Sequence, residues 1–118
     1  MTLREVQTIL DARLLTGEES LDKTVNTACG SDLMSDVLAY VKDQALLLTG
    51  LVNQQVIRTA EMMDMVCVVF VRGKRPDQEI LDLAGQRGIA VLSTPLRMFT
   101  ACGRLYDAGL RGGCEADE

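Results

Sequence analysis

Three cations stand together in the segment Arg72-Gly73-Lys74-Arg75, directly after an apolar run from Met65 to Val71. The run is rich in β-branched residues and carries no charge on either alternating face, which predicts a strand buried on both faces. In open α/β sheets, ligands bind beyond the carboxyl ends of such strands, where this basic turn lies. A helix is predicted from Pro76 or Asp77, and helix N-termini favour anions. The turn is therefore a candidate site for a phosphate or carboxylate group.

Polar residues in two further turns extend this candidate site. Thr49 ends a second predicted strand and Asn53 follows it, and Ser93 and Thr94 follow a third. Parallel strands end at one edge of their sheet, so we expect these side chains to lie near the cations. The predicted ligand-binding residues are Thr49, Asn53, Arg72, Lys74, Arg75, Ser93 and Thr94. The alternative is a charged turn that only keeps the sheet edge soluble, because no glycine-rich phosphate loop accompanies the cations.

An acidic pair, Asp32 and Asp36, lies four residues apart on a predicted second helix. This spacing places both carboxylates on one face, where they could hold a divalent cation for phosphoryl transfer. Aspartate is also favoured at the cap and first turn of a helix, where it faces the positive end of the dipole. We favour this structural interpretation over the catalytic one.

Residue types exclude several enzyme classes. The chain has no histidine, so a Ser-His or Cys-His nucleophile pair is impossible. The sequence contains neither the phosphate loop G-x-x-x-x-G-K-[ST] nor the dinucleotide-binding motif G-x-G-x-x-G. Cys29, Cys67, Cys102 and Cys114 form no C-x-x-C pair, so we expect no metal site. We expect the first three to be small buried hydrophobes and Cys114 to be an exposed thiol. A catalyst would therefore have to use carboxylates, lysine or cysteine alone, and we expect no metal or cofactor.

Composition narrows the partners and the location. At 118 residues the chain has the size of one domain. Its net charge of −5 argues against nucleic-acid binding, which needs a basic face. No apolar run approaches the roughly 20 residues that span a bilayer. The N-terminal residues show no targeting pattern, so a cytoplasmic location and no membrane contact are expected.

The order of the predicted elements places these residues in a fold. Helices are predicted from Thr2 to about Ala12, from Asp32 to Lys42, from Asn53 to Met63, from Pro76 or Asp77 to Gly88, and from Thr94 onward. Strands are predicted over Thr24 to Cys29, Ala45 to Thr49, Met65 to Val71 and Ile89 to Leu92. Alternation of strand and helix from residue 45 predicts an α/β fold with a mostly parallel sheet.

Two further predictions concern the C-terminal part. The last helix should begin with Thr94 as its cap and Pro95 at its first position. Its buried face should carry Leu96, Phe99, Gly103 and Tyr106. Residues 1–110 are predicted to form one domain, and residues 111–118 to form a disordered acidic tail, because the tail has no residue that could join a core.

Several segments, in order, resemble the DRTGG domain family. They are Leu21-Asp22-Lys23-Thr24-Val25, Ser31 to Leu38, Leu48-Thr49-Gly50-Leu51-Val52-Asn53-Gln54, Val71 to Asp77 and Gly88 to Thr94. Lys23 stands where the family usually has arginine, and Asn26-Thr27-Ala28 replaces the glycine-containing motif. The resemblance covers residues 1 to about 108. It extends to the N-terminal domain of HPr kinase/phosphorylase, but the kinase domain has no counterpart in this sequence.

The resemblance implies a three-layer α/β fold and a non-catalytic regulatory or association module. Similar domains occur beside CBS domains, in phosphotransacetylases and near genes for complex iron hydrogenases. It therefore implies a homodimer in anaerobic redox or central metabolism that senses a nucleotide or other small anion, or that joins a protein partner in a redox complex. The alternatives are a small metal-dependent phosphoryl-transfer enzyme using Asp32 and Asp36, and a purely structural dimer formed through Met34, Leu38 and Tyr40 of the second helix.

Overall fold

The computed structural model describes residues 1–39 and 44–113 as one sheet with helices on both faces. The helices are α1 (Leu3–Ile9), α2 (Met34–Leu38), α3 (Gln54–Met62), α4 (Gln78–Gln86) and α5 (Met98–Asp107). The strands are β1 (Arg13–Thr16), β2 (Thr27–Gly30), β3 (Ala45–Thr49), β4 (Cys67–Phe70) and β5 (Ala90–Ser93). In the described residues no helix is long and apolar enough to cross a membrane.

The sheet has the strand order β1-β5-β4-β3-β2. Strands β2 to β5 are parallel, and β1 runs antiparallel to β5. The predicted central strand is confirmed, since β4 lies in the middle and all four of its residues are buried. The mostly parallel sheet is confirmed as well. The antiparallel β1 is not visible in the sequence pattern.

Helices cover the sheet in two layers, as the predicted α/β architecture requires. Helices α1 and α5 pack on one face, and their buried residues are Leu3, Val6, Leu10, Ala101 and Leu105. Helices α2, α3 and α4 pack on the other face through Met34, Val37, Val56, Ile57, Ala60, Ile80 and Ala84. The predicted three-layer fold is thereby confirmed.

The predicted helix starts are correct where a side chain caps the helix. Thr2 and Glu5 form the predicted capping box of α1. Asn53 and Asp77 accept hydrogen bonds at the starts of α3 and α4, from Val56 N–H at 3.2 Å and Ile80 N–H at 3.0 Å. Gly88, with φ +71°, takes the left-handed conformation expected just after α4.

The front of the domain departs from prediction in β2 and α2. Strand β2 covers Thr27–Gly30, whereas Thr24 forms only an isolated bridge with Thr2. Helix α2 begins at Met34 without a side-chain cap. The sequence pattern predicts that Leu33, Val37, Leu38 and Val41 face the core, with Met34 beside them. Val37 and Met34 are buried as predicted, whereas Leu33 and Leu38 are exposed. Residues 40–42 of the predicted helix, which include Tyr40 and Val41, lie outside the described residues.

The predicted start of the last helix is wrong. Helix α5 begins at Met98 rather than at Pro95. The Thr94 side chain does not cap it, because this hydroxyl donates to the Leu10 carbonyl at 2.6 Å and accepts from the Leu96 N–H. The start of α5 is thereby shifted along the chain.

The predicted buried face of α5 is also wrong. Ala101 and Leu105 are its buried residues, with Met98 and Cys102 partly buried beside them. Phe99 and Tyr106 are exposed. Two sets of α5 residues have helical spacing, and the set with the smaller side chains is the one that packs on the sheet.

Arg111, the first residue of the predicted tail, is held against the domain. Its carbonyl accepts the Ala28 N–H at 3.0 Å, beside an isolated parallel bridge to Thr27. Its guanidinium lies 3.8 Å from the centre of the Tyr106 ring. Residues 114–118, including Cys114, lie outside the described residues, so the predicted tail and its exposed thiol stay predictions.

Candidate functional site

The basic turn after β4 is a tight reversal of the chain. Arg72 and Gly73 both have positive φ, at +60° and +67°, and the Lys74 N–H donates to the Val71 carbonyl at 3.2 Å. Two central residues with positive φ are characteristic of a type I′ turn. Arginine pays a conformational penalty in this region, so surrounding contacts must fix the turn.

Those contacts come from the loop after β5. The Arg72 N–H donates to the Leu96 carbonyl at 2.7 Å, and the Gly73 N–H donates to the Thr94 carbonyl at 2.8 Å. At the start of α4, the Asp77 carboxylate already accepts from Ile80 N–H. Three backbone donors of the turn and one at the α4 start are thus in use. Attraction of an anion at this edge must therefore come chiefly from side chains.

The Arg72 side chain lies over Gly50, at the end of β3. A Cβ atom on Gly50 would lie 2.9 Å from Arg72 Nη2 and 3.5 Å from Asp32 Oδ1. The Asp32 carboxylate accepts the Gly50 N–H at 2.6 Å and the Thr49 hydroxyl at 3.1 Å. Glycine at position 50 therefore leaves a space that the Arg72 guanidinium and the Asp32 carboxylate both border.

A cavity of about 230 Å³ lies on the other side of the basic turn. Its lining residues are Asp11, Arg13, Gly73, Arg75, Ser93 and Pro95. Arg13 lies at this edge because β1 is antiparallel, which pairs Arg13 with Ser93 at the carboxyl end of β5. Arg13 and Arg75 are exposed, and neither forms an ion pair with a residue that the structure describes. We call this space the edge cavity.

The structure brings only part of the predicted site to the edge cavity. Arg75 and Ser93 line it, and Lys74 is exposed in the adjoining turn. Arg72 is directed toward Gly50 instead. Arg13 is absent from the sequence prediction, since its position depends on the pairing of β1 with β5. A short apolar segment between a helix and a turn, Leu14-Leu15, was the only sequence signal for that strand.

The remaining predicted ligand residues hold the loops together. The buried Thr49 hydroxyl donates to Asp32 and accepts from Leu51 N–H. Thr94 is bonded to Leu10, and Asn53 caps α3. The Ser93 hydroxyl donates to the Lys74 carbonyl at 2.7 Å, so it fixes the basic turn as well as lining the cavity. Polar residues after strands thus serve first to satisfy loop backbone groups.

The predicted placement of Asp32 and Asp36 on one helix is wrong. Asp32 precedes α2, and its carboxylate is directed to the loop after β3 rather than to Asp36. Among the described residues, no group of three or more histidine, cysteine, aspartate or glutamate residues is arranged to hold a metal ion. No feature of the described part of the chain favours the metal-dependent enzyme.

The three described cysteines are reduced thiols in different environments. Cys67 is fully buried in β4, as predicted, and burial raises the pKa of its thiol. Cys29 and Cys102 are only partly buried, and burial again raises the pKa of each. The nearby Cys102 makes a smaller contribution in the same direction to the pKa of Cys29. Raised thiol pKa values do not favour a nucleophilic role.

Comparisons with known proteins agree with this fold. The family model of the DRTGG domain matches residues 5–108, and the chain belongs to this family. A structure of the CBS and DRTGG domains of the regulatory region of Clostridium perfringens pyrophosphatase, complexed with its activator diadenosine tetraphosphate, has the same fold. The match has a TM-score of 0.70 and 17% identity, and it covers 88% of this chain and 45% of the other. A search of curated proteins found no match.

Proposed function

We propose that this chain is a homodimeric regulatory module that binds a small anionic ligand, a nucleotide or phosphorylated metabolite, at the edge cavity. The observation that carries the proposal is the pair of exposed arginines, Arg13 and Arg75, without an ionic partner among the described residues. The arginines outnumber the one acid of the cavity, Asp11. A guanidinium group can donate two parallel hydrogen bonds to the oxygens of one phosphate or carboxylate group. The two arginines of the cavity are therefore suited to bind such a group.

The size of the edge cavity suits part of such a ligand. Its volume of about 230 Å³ is below the roughly 300–1,000 Å³ typical of complete small-molecule sites. A phosphoryl group would therefore enter the cavity, and the rest of the ligand would extend over the exposed turn at Lys74. The Ser93 hydrogen bond to the Lys74 carbonyl holds that turn beside the cavity.

The regulatory role is supported by family and fold. The chain belongs to the DRTGG domain family, and the similar Clostridium perfringens structure is a regulatory region complexed with a nucleotide activator. This chain spans less than half of that structure. The activity that the module regulates would therefore lie elsewhere, in a longer protein or in a redox complex. The dinucleotide polyphosphate of that structure defines the first ligand class to test.

The test measures binding of pyrophosphate, ATP and diadenosine tetraphosphate by isothermal titration calorimetry and by thermal shift at low salt. At ten times Kd, ligand binding should stabilise the protein by about 1.4 kcal/mol and raise Tm by several degrees. The double variant Arg13→Ala/Arg75→Ala should lose this effect. Arg58→Ala is the matched control, because Arg58 is an exposed arginine on the outer side of α3. Equal binding by the double variant, or none by the wild type, would contradict the proposal.

A further inference from the structure

Helix α5 carries an exposed stripe formed by two aromatic residues, Phe99 and Tyr106, with Gly103 between them; we call it the aromatic stripe. Phe99 is 91% exposed and Tyr106 is 48% exposed. The three residues follow one another at intervals of four and three positions, so they lie along one side of the helix. On another side, Arg104 donates to the Ile9 carbonyl of α1 at 3.4 Å. One flank of α5 therefore packs beside α1, and the stripe occupies the flank that is open.

Gly103 has no structural requirement within the described chain. A Cβ atom at this position would meet nothing within 4 Å, and Gly103 is not among the residues with positive φ. Glycine in the interior of a helix is less favourable than alanine. Glycine at such a position permits another backbone to approach closely, and the described residues of this chain supply no such backbone.

An apolar cavity of about 210 Å³ adjoins the stripe. Its lining residues include Gly30, Leu48, Cys102, Leu105, Tyr106 and Leu110. It lies between α5 and β2, which is the last strand of the sheet order. A cavity of about 150 Å³ with an apolar lining can hold benzene, so this one has room for a phenyl ring. Phe99 thus provides an exposed ring, and the same helix borders a space that could accept it.

We propose that a second copy of this chain covers the stripe. Two α5 helices cross antiparallel at Gly103, and Phe99 of each copy enters the apolar cavity of the other. Phe99 lies four positions before Gly103 and Tyr106 three positions after it. Reversing one helix therefore brings Phe99 of one copy next to Tyr106 of the other, at the wall of its cavity. The contact is the same in both directions, as a two-fold dimer requires.

The geometry favours a second copy over an unrelated partner because the Phe99 ring and one wall of the cavity that accepts it, formed by Cys102, Leu105 and Tyr106, belong to the same helix. Both lie within one turn of the Gly103 crossing, so a single two-fold contact fills both cavities. Phe99 and Tyr106 would also form an aromatic pair across the axis. The Arg111 guanidinium also borders the cavity and lies 3.8 Å from the centre of the Tyr106 ring, where it makes a cation–π contact. This inference rests on the homodimer of the proposed function and identifies the surface through which the two copies contact each other.

The main test is sedimentation velocity over a range of protein concentrations. The wild type should be a dimer at micromolar concentration, and Phe99→Asp should weaken the dimer by about thirtyfold or more, as expected for a central aromatic contact. The matched control is Met62→Asp, at a 70% exposed apolar residue on α3, across the sheet from α5. Its dimer affinity should stay unchanged. Circular dichroism and Tm check that both variants fold.

A second measurement reports on the cavity itself. Cys102 lines it, so alkylation of this thiol by iodoacetamide should slow as the dimer forms, and this protection should be absent in Phe99→Asp. Cys29, also partly buried but not among the residues lining this cavity, is the internal reference. Mass spectrometry of the peptides measures both rates.

The outcomes separate this surface from the rest of the proposed function. A wild-type dimer with loss of dimer and of Cys102 protection in Phe99→Asp supports the surface. A dimer that persists in Phe99→Asp overturns the surface and leaves the homodimer standing. A wild type that is still monomeric at 100 times the micromolar concentration overturns both the surface and the homodimer. Ligand binding at the edge cavity is measured independently of all three results.

Discussion

At the scale of single residues, Asp32 shows how one side chain holds the carboxyl edge together. Its carboxylate accepts the buried Gly50 N–H at 2.6 Å and the buried Thr49 hydroxyl at 3.1 Å, across 18 and 17 residues of sequence. A charged acceptor strengthens both hydrogen bonds. The loop before α2 is thereby fastened to the loop after β3, over which the Arg72 side chain lies.

Replacing Asp32 should therefore destabilise the domain rather than abolish a metal-dependent reaction. In Asp32→Ala, two buried donors lose their acceptor, and the free energy of unfolding should fall by about 1–2 kcal/mol. Urea unfolding measures the change. Asp36→Ala is the control, because Asp36 is exposed on α2, and it should alter stability by less than about 0.5 kcal/mol. Equal effects of the two substitutions would show that the Asp32 hydrogen bonds are not the cause.

Only part of the candidate site can be predicted from single residues. Arg75 follows β4 and Ser93 ends β5, two parallel strands, so their position at one edge of the sheet is predictable. Arg13 reaches the same edge only through the antiparallel pairing of β1 with β5, which is a long-range contact. The direction of Arg72 depends on its positive φ and on the empty space at Gly50. Neither the β1–β5 pairing nor the direction of the Arg72 side chain can be predicted from the local sequence.

At the scale of elements, local capping determined which helix boundaries were predictable. Thr2, Asn53 and Asp77 cap helices within three residues, and the starts of α1, α3 and α4 were predicted correctly. Thr94 also precedes a helix, but its hydroxyl bonds to Leu10, 84 residues away. A tertiary contact thus overrode the local signal, and α5 starts later than its capping pattern indicates.

The capping box of α1 should make stability depend on pH. Hydrogen bonds from the backbone and the side chain of Thr2 lower the pKa of the Glu5 carboxyl. A lowered pKa in the folded state adds stability above the unfolded pKa of roughly 4.3, and this stability is lost as pH falls through the lower folded value. Glu5→Gln keeps an acceptor but removes the charge.

The Tm difference between the wild type and Glu5→Gln should therefore be largest near pH 6–7. It should shrink progressively below about pH 4. Scanning calorimetry of both proteins from pH 2.5 to 7 measures the difference. A difference that stays constant over this range would show that ionised Glu5 does not contribute to the cap.

At the scale of the whole molecule, the parallel arrangement around β4 is the part of the fold that the sequence predicts best. A strand buried on both faces needs apolar residues throughout, and the run around Cys67–Phe70 has no other place in a domain of this size. The edges are harder to predict, because β1 and β2 are only half-buried and their pattern is weaker. The order of elements from β2 onward was therefore predictable, whereas the presence of β1 and the limits of β2 were not.

The central position of β4 makes Cys67 a probe of global unfolding. Its thiol is fully buried under α1 and α5, and burial raises its pKa, so reaction requires opening of the sheet and of this helix layer. In pulse labelling with N-ethylmaleimide across a urea series, Cys67 should react at the midpoint of circular dichroism. The partly buried Cys29 and Cys102 should react at lower urea. Leu105→Ala, which leaves a cavity under α5, should lower the free energy of unfolding by about 2–5 kcal/mol. The urea midpoints of Cys67 labelling and of circular dichroism should then shift together. Labelling of Cys67 well before the loss of helical signal would instead show that β4 separates from the sheet while the helices persist.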